Sequence, residues 1–133
     1  MNTPRIARCL PFVLVFGLSL AGCAVPPPAP SGLMEVIERP AEKALLAGWR
    51  AYEDAQYPQA EKLLAQALQV GLVSSKDRAA AHKLLAFIFC TSDRVAACEV
   101  EFRRARADDP NFTLSKSEAG HPQWGPVYKR VQP

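Results

Sequence analysis

Histidine is nearly missing from this chain: His82 and His121 are the only two in 133 residues. That leaves little material for acid–base chemistry near neutral pH, where imidazole is the usual agent. No serine stands in a nucleophile-elbow sequence, and there is no glycine-rich phosphate loop. A zinc site built from His82, Cys90, Cys98 and His121 would rest on a cysteine pair spaced well beyond the roughly two to four residues of a zinc knuckle. The acid pairs Glu53-Asp54 and Asp108-Asp109 read as solvated helix ends rather than as acid/base partners. No stretch of useful length alternates polar and apolar residues, which excludes a sheet-based body. No catalytic residue, metal site or cofactor is assigned, and the expected class is a non-enzymatic one.

What the chain does have begins at its amino terminus. Arg5 and Arg8 precede an apolar run, Leu10 to Leu20, interrupted by Pro11, Gly17 and Ser19. Small residues then lead to a cysteine in Leu20-Ala21-Gly22-Cys23. This is the layout of a bacterial secretory signal. The run is shorter than the roughly 20 residues a membrane span needs. The ending resembles a lipobox. That resemblance implies acylation of the Cys23 thiol and cleavage before it, so that residues 1–22 form a removable leader. Loss of Arg5 and Arg8 takes the net charge from +3 to +1, since no acid leaves with them. A near-neutral body is a poor match for nucleic acid. Ala24 follows the cysteine, where the enteric sorting rule places Asp for inner-membrane retention. The expected location is therefore the outer membrane, lipid-anchored and facing the periplasm.

Residues 23–32 form the lipidated cysteine and a tether. Val25-Pro26-Pro27-Pro28-Ala29-Pro30-Ser31-Gly32 carries four prolines, which fix φ and lack the N–H that a helix or sheet requires. An extended spacer is expected there.

From residue 33 to 133 the pattern is all-α. Leu33 to Glu38 is a short amphipathic piece stopped by Pro40. Ala41 to about Gln56 is rich in helix formers. After Tyr57-Pro58 comes a helix with Ala60, Leu63, Leu64, Ala67 and Leu68 on one stripe, halted by Gly71. Ser74 with Asp77 reads as an N-cap pair opening a third helix, which carries Ala81, Leu84, Leu85 and Ile88. Thr91-Ser92-Asp93 makes the next turn. A fourth helix presents Val95, Cys98, Phe102 and Ala105 and ends at Asp108-Asp109-Pro110.

Two hairpins in succession suggest a repeat. The first resembles a tetratricopeptide (TPR) unit, with Gly48 at the small position of its first helix, Ala60 as the small residue packing against it, and Leu64 and Ala67 at later core positions. A shift of 38 residues matches Ala86 to Gly48, Cys98 to Ala60, Phe102 to Leu64 and Ala105 to Ala67. Pro110 then falls at the family's terminal proline. The family's period of 34 leaves four extra residues around Leu72 to Lys76, and its leading aromatic is replaced by Ala44 and His82. Two such units bury little and need caps. Leu33–Glu38 and Phe112–Val131 are the candidates, with Trp124, Val127 and Tyr128 docking on the fourth helix and Gly125-Pro126 preventing a long helix.

The TPR register places Leu45, Trp49, Tyr52, Lys83 and Phe87 on the groove face, where aromatic residues serve as partner anchors. The competing expectation is that Leu33–Ile37 covers that face. Arg103, Arg104 and Arg106 form a basic run on the solvent side of the fourth helix. Cys90 and Cys98 flank the tight turn between helices three and four. An oxidising periplasm favours a bridge between them, and two free buried thiols are the alternative. The repeat register puts Cys98 between the helices and Cys90 toward the groove side, so a bridge is expected to unwind the last turn of the third helix.

The carboxy half carries a further likeness. Asp77-Arg78-Ala79-Ala80-Ala81-His82-Lys83-Leu84-Leu85-Ala86-Phe87-Ile88-Phe89-Cys90, followed by Cys98, Phe102, Asp109-Pro110, Phe112, Leu114, Glu118 and Gly120-His121-Pro122-Gln123-Trp124-Gly125-Pro126-Val127, resembles the small TssQ-type lipoproteins associated with type VI secretion. The resemblance implies an accessory envelope lipoprotein without enzyme activity, whose partners are subunits of a secretion-system membrane complex. A pilotin-like or assembly lipoprotein for another outer-membrane complex is the alternative. If the anchor reading holds, Cys23→Ala releases the protein from membranes; tight membrane association of that variant on fractionation would refute it.

Overall fold

Helix-forming runs separated by turn residues give six helices in the computed structural model, which describes Gly32 and residues 38–132. The leader, Cys23, the tether as far as Ser31 and Leu33–Ile37 lie outside the described residues. The helices are α1 (Pro40–Glu53), α2 (Tyr57–Val70), α3 (Ser75–Thr91), α4 (Val95–Asp108), α5 (Lys116–Ala119) and α6 (Gly125–Arg130). There is no strand among the described residues. No helix among them is long and apolar enough to cross a membrane. α1 with α2 and α3 with α4 form two helical hairpins; α2 also packs on α3, and α6 on α4.

The 38-residue register is built into the backbone. α2 and α4 are both 14 residues long and begin 38 positions apart. Each hairpin turn places one non-glycine residue in the left-handed region, Ala55 at φ 58° and Asp93 at φ 59°. The turn bonds repeat as well. Gln56 N–H donates to the Ala51 carbonyl at 2.8 Å, and Arg94 N–H donates to the Phe89 carbonyl at 2.8 Å. The left-handed residue at 55 also explains why α1 stops at Glu53 rather than near Gln56.

Equivalent positions are buried alike. Ala60, Leu64 and Ala67 in α2 and Cys98, Phe102 and Ala105 in α4 are completely enclosed. Gly48 is needed because α1 and α2 cross closely. A Cβ there would lie 2.9 Å from Leu64 Cγ and 3.1 Å from the Leu64 backbone nitrogen. Its nearest neighbour is thus Leu64, one turn beyond the expected Ala60. The insertion between the hairpins is absorbed in two ways. α3 starts a turn earlier than the repeat requires, with the Asp77 N–H donating to Ser74 Oγ at 3.3 Å. Leu72 is buried in the core.

Cys90 lies in the last turn of α3 and Cys98 in the first turn of α4. Their sulfurs are bonded, with the Cα atoms 5.3 Å apart, inside the usual range for a bridge. α3 remains helical through Thr91, so the expected unwinding does not occur. In the first hairpin the equivalent positions hold Tyr52 and Ala60, a large residue beside a small one.

The carboxy-terminal segment closes the second hairpin. Ser115 and Glu118 form a capping box around α5. Tyr128 of α6 meets Phe102 edge-on at 5.3 Å and Phe112 at 6.2 Å. The Tyr128 hydroxyl accepts a hydrogen bond from the Leu114 N–H at 3.1 Å. Arg106 donates to the Val131 carbonyl at 2.7 Å. Gly125-Pro126, expected to keep this segment from forming a long helix, opens one of only six residues.

Gly48 yields a direct test of the crossing. Alanine in a helix interior gains about 1 kcal/mol over glycine in propensity, yet Gly48→Ala is expected to destabilise because Leu64 leaves no room. Gly48→Val should cost about 1–3 kcal/mol from overpacking. Urea unfolding measures both, and an Ala variant more stable than the native chain would show that the crossing is not tight.

Candidate interaction surface

The five groove residues do not form one open face. Leu45 and Phe87 are both buried in the core, 7% and 3% exposed. Neither side chain is available to a partner, which corrects the expectation for both. Tyr52 is half-buried, 6.5 Å from Phe87 and 5.7 Å from Tyr57 between ring centroids. Burial, then the nearby Tyr57 and Glu118, push its hydroxyl above the usual value of 10.0. Trp49 remains exposed at 37%, and its Nε1 donates to Glu53 Oε1 at 2.9 Å.

The cover comes from the carboxy-terminal segment. Trp124 stacks on Phe87 at 4.2 Å and 21° between planes. Its Nε1 donates to the Glu118 carbonyl at 2.8 Å. His121 stacks in turn on Trp124. The segment expected to dock on α4 therefore also reaches across α3, where the groove was placed. The alternative cover, Leu33–Ile37, lies outside the described residues.

Lys83 joins this cover to the first hairpin. Its Nζ lies 2.7 Å from Glu118 Oε1, 6.0 Å from the Trp49 ring centroid and 5.7 Å from that of Phe87. Burial alone would raise the Glu118 carboxyl. The Lys83 ammonium and the Ser115 N–H and hydroxyl outweigh it and hold the group below the ordinary value of 4.5. The accessible part of the predicted site is thus Trp49, the edge of Tyr52 and the Lys83–Glu118 pair.

A second polar cluster was not anticipated. His82 Nδ1 lies 2.5 Å from Glu101 Oε2, and its Nε2 lies 3.4 Å from Asp108 Oδ2. Arg78 Nε contacts Asp108 Oδ1 at 2.6 Å, and Arg104 contacts Glu101 Oε1 at 2.7 Å. Glu101 is nearly fully buried, so it depends on these partners for charge compensation. Asp108 is accordingly a structural ion-pair partner, not a solvated helix end. His82 fills the position of the missing leading aromatic, and its two nitrogens hold α3 to α4. Nothing in the linear sequence joins residues 82, 101 and 108. The helical spacing of 101 and 108, two turns apart on one face, is the signal that could have placed the two carboxylates together.

The basic run is also engaged. Arg103 pairs with Glu99 at 3.1 Å, Arg104 with Glu101, and Arg106 with the chain's own Val131 carbonyl. The four candidate zinc ligands are not brought together, since the cysteines are bonded to each other, His82 faces carboxylates and His121 lies on Trp124. No group of three or more His, Cys, Asp or Glu among the described residues could hold a metal ion. Comparison with protein-family models, with curated proteins and with solved structures returned no match.

The lowered carboxyl of Glu118 makes the cover sensitive to acid. A depressed folded-state value contributes stability that is fully present above the ordinary glutamate value and is lost as the pH falls through the lowered one. Acid titration is expected to loosen the Trp124–Phe87 stack over that interval, seen as a change in tryptophan emission. Glu118→Gln should remove this acid-side dependence. An unchanged titration curve in that variant would show that the Lys83–Glu118 pair does not hold the cover.

Proposed function

We propose that this chain is a non-enzymatic, lipid-anchored adaptor of TPR type, an accessory lipoprotein of a type VI secretion system. The anchor is acylated Cys23, the location is the periplasmic face of the outer membrane, and the partner is an envelope protein of the secretion membrane complex. The observation that carries the reading is the repeat. Two hairpins related by 38 residues reproduce each other's turn bonds, turn dihedrals and buried positions, the architecture on which TPR-type adaptors build extended binding surfaces. The exposed Trp49, flanked by the half-buried Tyr52 and by Lys83, supplies an aromatic anchor beside a charge, the residue chemistry that dominates protein interfaces.

The test is crosslinking and affinity purification of the acylated protein from its native envelope, with co-purifying proteins identified by mass spectrometry. Type VI membrane-complex subunits are expected, and Trp49→Ala should lose them while leaving the fold intact. Phe87→Ala is unsuitable as a surface probe because Phe87 is in the core. Recovery of a secretin or pilus component would replace this reading with the pilotin-like one.

A further inference from the structure

The two ends of the helical body differ in chemistry. At the turn end, between the helices of each hairpin, Glu53, Asp54 and Asp93 are exposed beside one exposed cation, Arg50, and beside Arg94, which is paired with Glu61; Tyr57 and Val95 are each 43% exposed there. The opposite end holds the start of α1, the close of α2, the α2–α3 loop and the close of α4. Val70 is 53% exposed there and Val73 71%, more than any other large apolar side chain among the described residues. Pro40, Lys76 and Pro110 are exposed at this end as well. Of its carboxylates, Asp108 pairs with Arg78 and Glu38 with Lys43, Asp109 accepts from the Asn111 N–H, and Asp77 stands half-buried beside Lys76 in the first turn of α3.

The loop that presents Val73 is held from beneath. Leu72 is buried in the core. Arg78 Nη1 donates to the Leu72 carbonyl at 2.9 Å and to the Val73 carbonyl at 3.1 Å. Gly71 turns the chain at φ 104°, a conformation that side chains resist. The valine is therefore displayed by a fixed scaffold, and displaying it costs no further ordering on contact.

The chain joins the described fold at this same end, at Glu38. Glu38 stands fifteen positions after Cys23. Whatever its conformation, the chain between them spans at most about 3.3–3.6 Å per residue. An acyl anchor at Cys23 keeps the body within roughly 50 Å of the bilayer by that limit, at an effective concentration on the order of millimolar. A contact too weak to hold a free protein is then occupied.

We propose that the Val70–Lys76 end is the membrane-facing end of the body, with Val70 and Val73 entering the headgroup boundary of a phospholipid bilayer and Lys76 meeting lipid phosphates. The proposal rests on the lipid-anchor reading of Cys23. Apolar side chains bordered by a cation suit an anionic interface. At the turn end Glu53, Asp54 and Asp93 outnumber Arg50, with Arg94 already paired to Glu61, so that end is the less favourable one for an anionic surface and faces the periplasm. Trp49, between the two ends on α1, stays clear of the bilayer.

The test uses the full acylated protein in vesicles of phosphatidylethanolamine and phosphatidylglycerol. An environment-sensitive fluorophore is attached through Val73→Cys, and in a second protein through Asp54→Cys. Both positions are exposed, so neither change disturbs the core. Flotation with the vesicles reports the anchor. The expected result is flotation of both proteins, with a blue shift at position 73 and a loss of its emission on brominated acyl chains, and neither at position 54. Val70→Asp and Val73→Asp together, read from a label at the exposed Ser75→Cys, should abolish the quenching that the same label shows beside the native valines, without abolishing flotation. Flotation with no quenching at 73, or with equal quenching at 73 and 54, overturns the orientation and leaves the anchor standing. Failure to float overturns the anchor and the orientation with it.

Discussion

The close crossing of the two helices within each hairpin is the constraint on which the rest of this fold depends. Gly48 lets Leu64 approach so closely that a Cβ would lie 2.9 Å from its Cγ and 3.1 Å from its backbone nitrogen, so Leu64 would have to shift. One repeat later the pair at these positions is Ala86 and Phe102, both fully enclosed. A small residue on the first helix and a larger one on the second is the rule in both units, and it allows α1·α2 and α3·α4 to bury their faces with few side chains. One helical turn away the rule is inverted. Tyr52 of the first helix stands opposite Ala60 of the second, and the second unit replaces that large-and-small pair with the Cys90–Cys98 bridge. A covalent link of this loop size contributes about 2–3 kcal/mol in the chain-entropy account. That is a useful addition in a domain too small to rely on core volume.

Aromatic contacts carry the core from one unit to the next. Tyr57, Tyr52, Phe87, Phe102, Tyr128 and Phe112 follow one another at ring distances of 5.3–6.5 Å. Trp124 adds the closest stack, at 4.2 Å on Phe87. Two hairpins would leave Phe87 facing water. The carboxy-terminal segment removes that exposure, so it caps the array and narrows its groove in the same act. The price of the cap is the loss of Leu45 and Phe87 as recognition residues. The remaining recognition surface is displaced toward Trp49 and the Lys83–Glu118 pair.

Polar side chains reinforce this packing at defined places. Arg78, His82, Glu101, Arg104 and Asp108 form one network between α3 and α4. Arg94 and Glu61 pair through two hydrogen bonds, 2.9 and 2.7 Å, between the hairpins. The second pair is exposed and worth little on its own. The first network matters more because Glu101 is buried, and loss of a partner would leave a charge uncompensated. Arg130, held 2.8 Å from Glu99, draws the Glu99 carboxyl below its ordinary value and ties α6 to α4.

Local rules were enough to specify the helices. Period-3.6 apolar stripes, the Ser74 cap, Gly71 and the proline positions gave four helices close to their observed bounds, and a 38-residue shift gave the repeat. These features are legible because they depend on neighbours three or four residues apart. The open face of the groove is not legible in the sequence for the opposite reason. Whether Phe87 meets water or Trp124 is settled 37 positions away by how the chain returns across α3. His82, Glu101 and Asp108 likewise acquire their roles from a helix pairing, not from their spacing. The sequence by itself determined the all-helical character, the hairpin boundaries and the small residues at the crossing, since each is a short-range property of backbone and side-chain volume. The tertiary structure decided which of those faces stayed open, because burial is a property of surfaces brought together from distant parts of the chain.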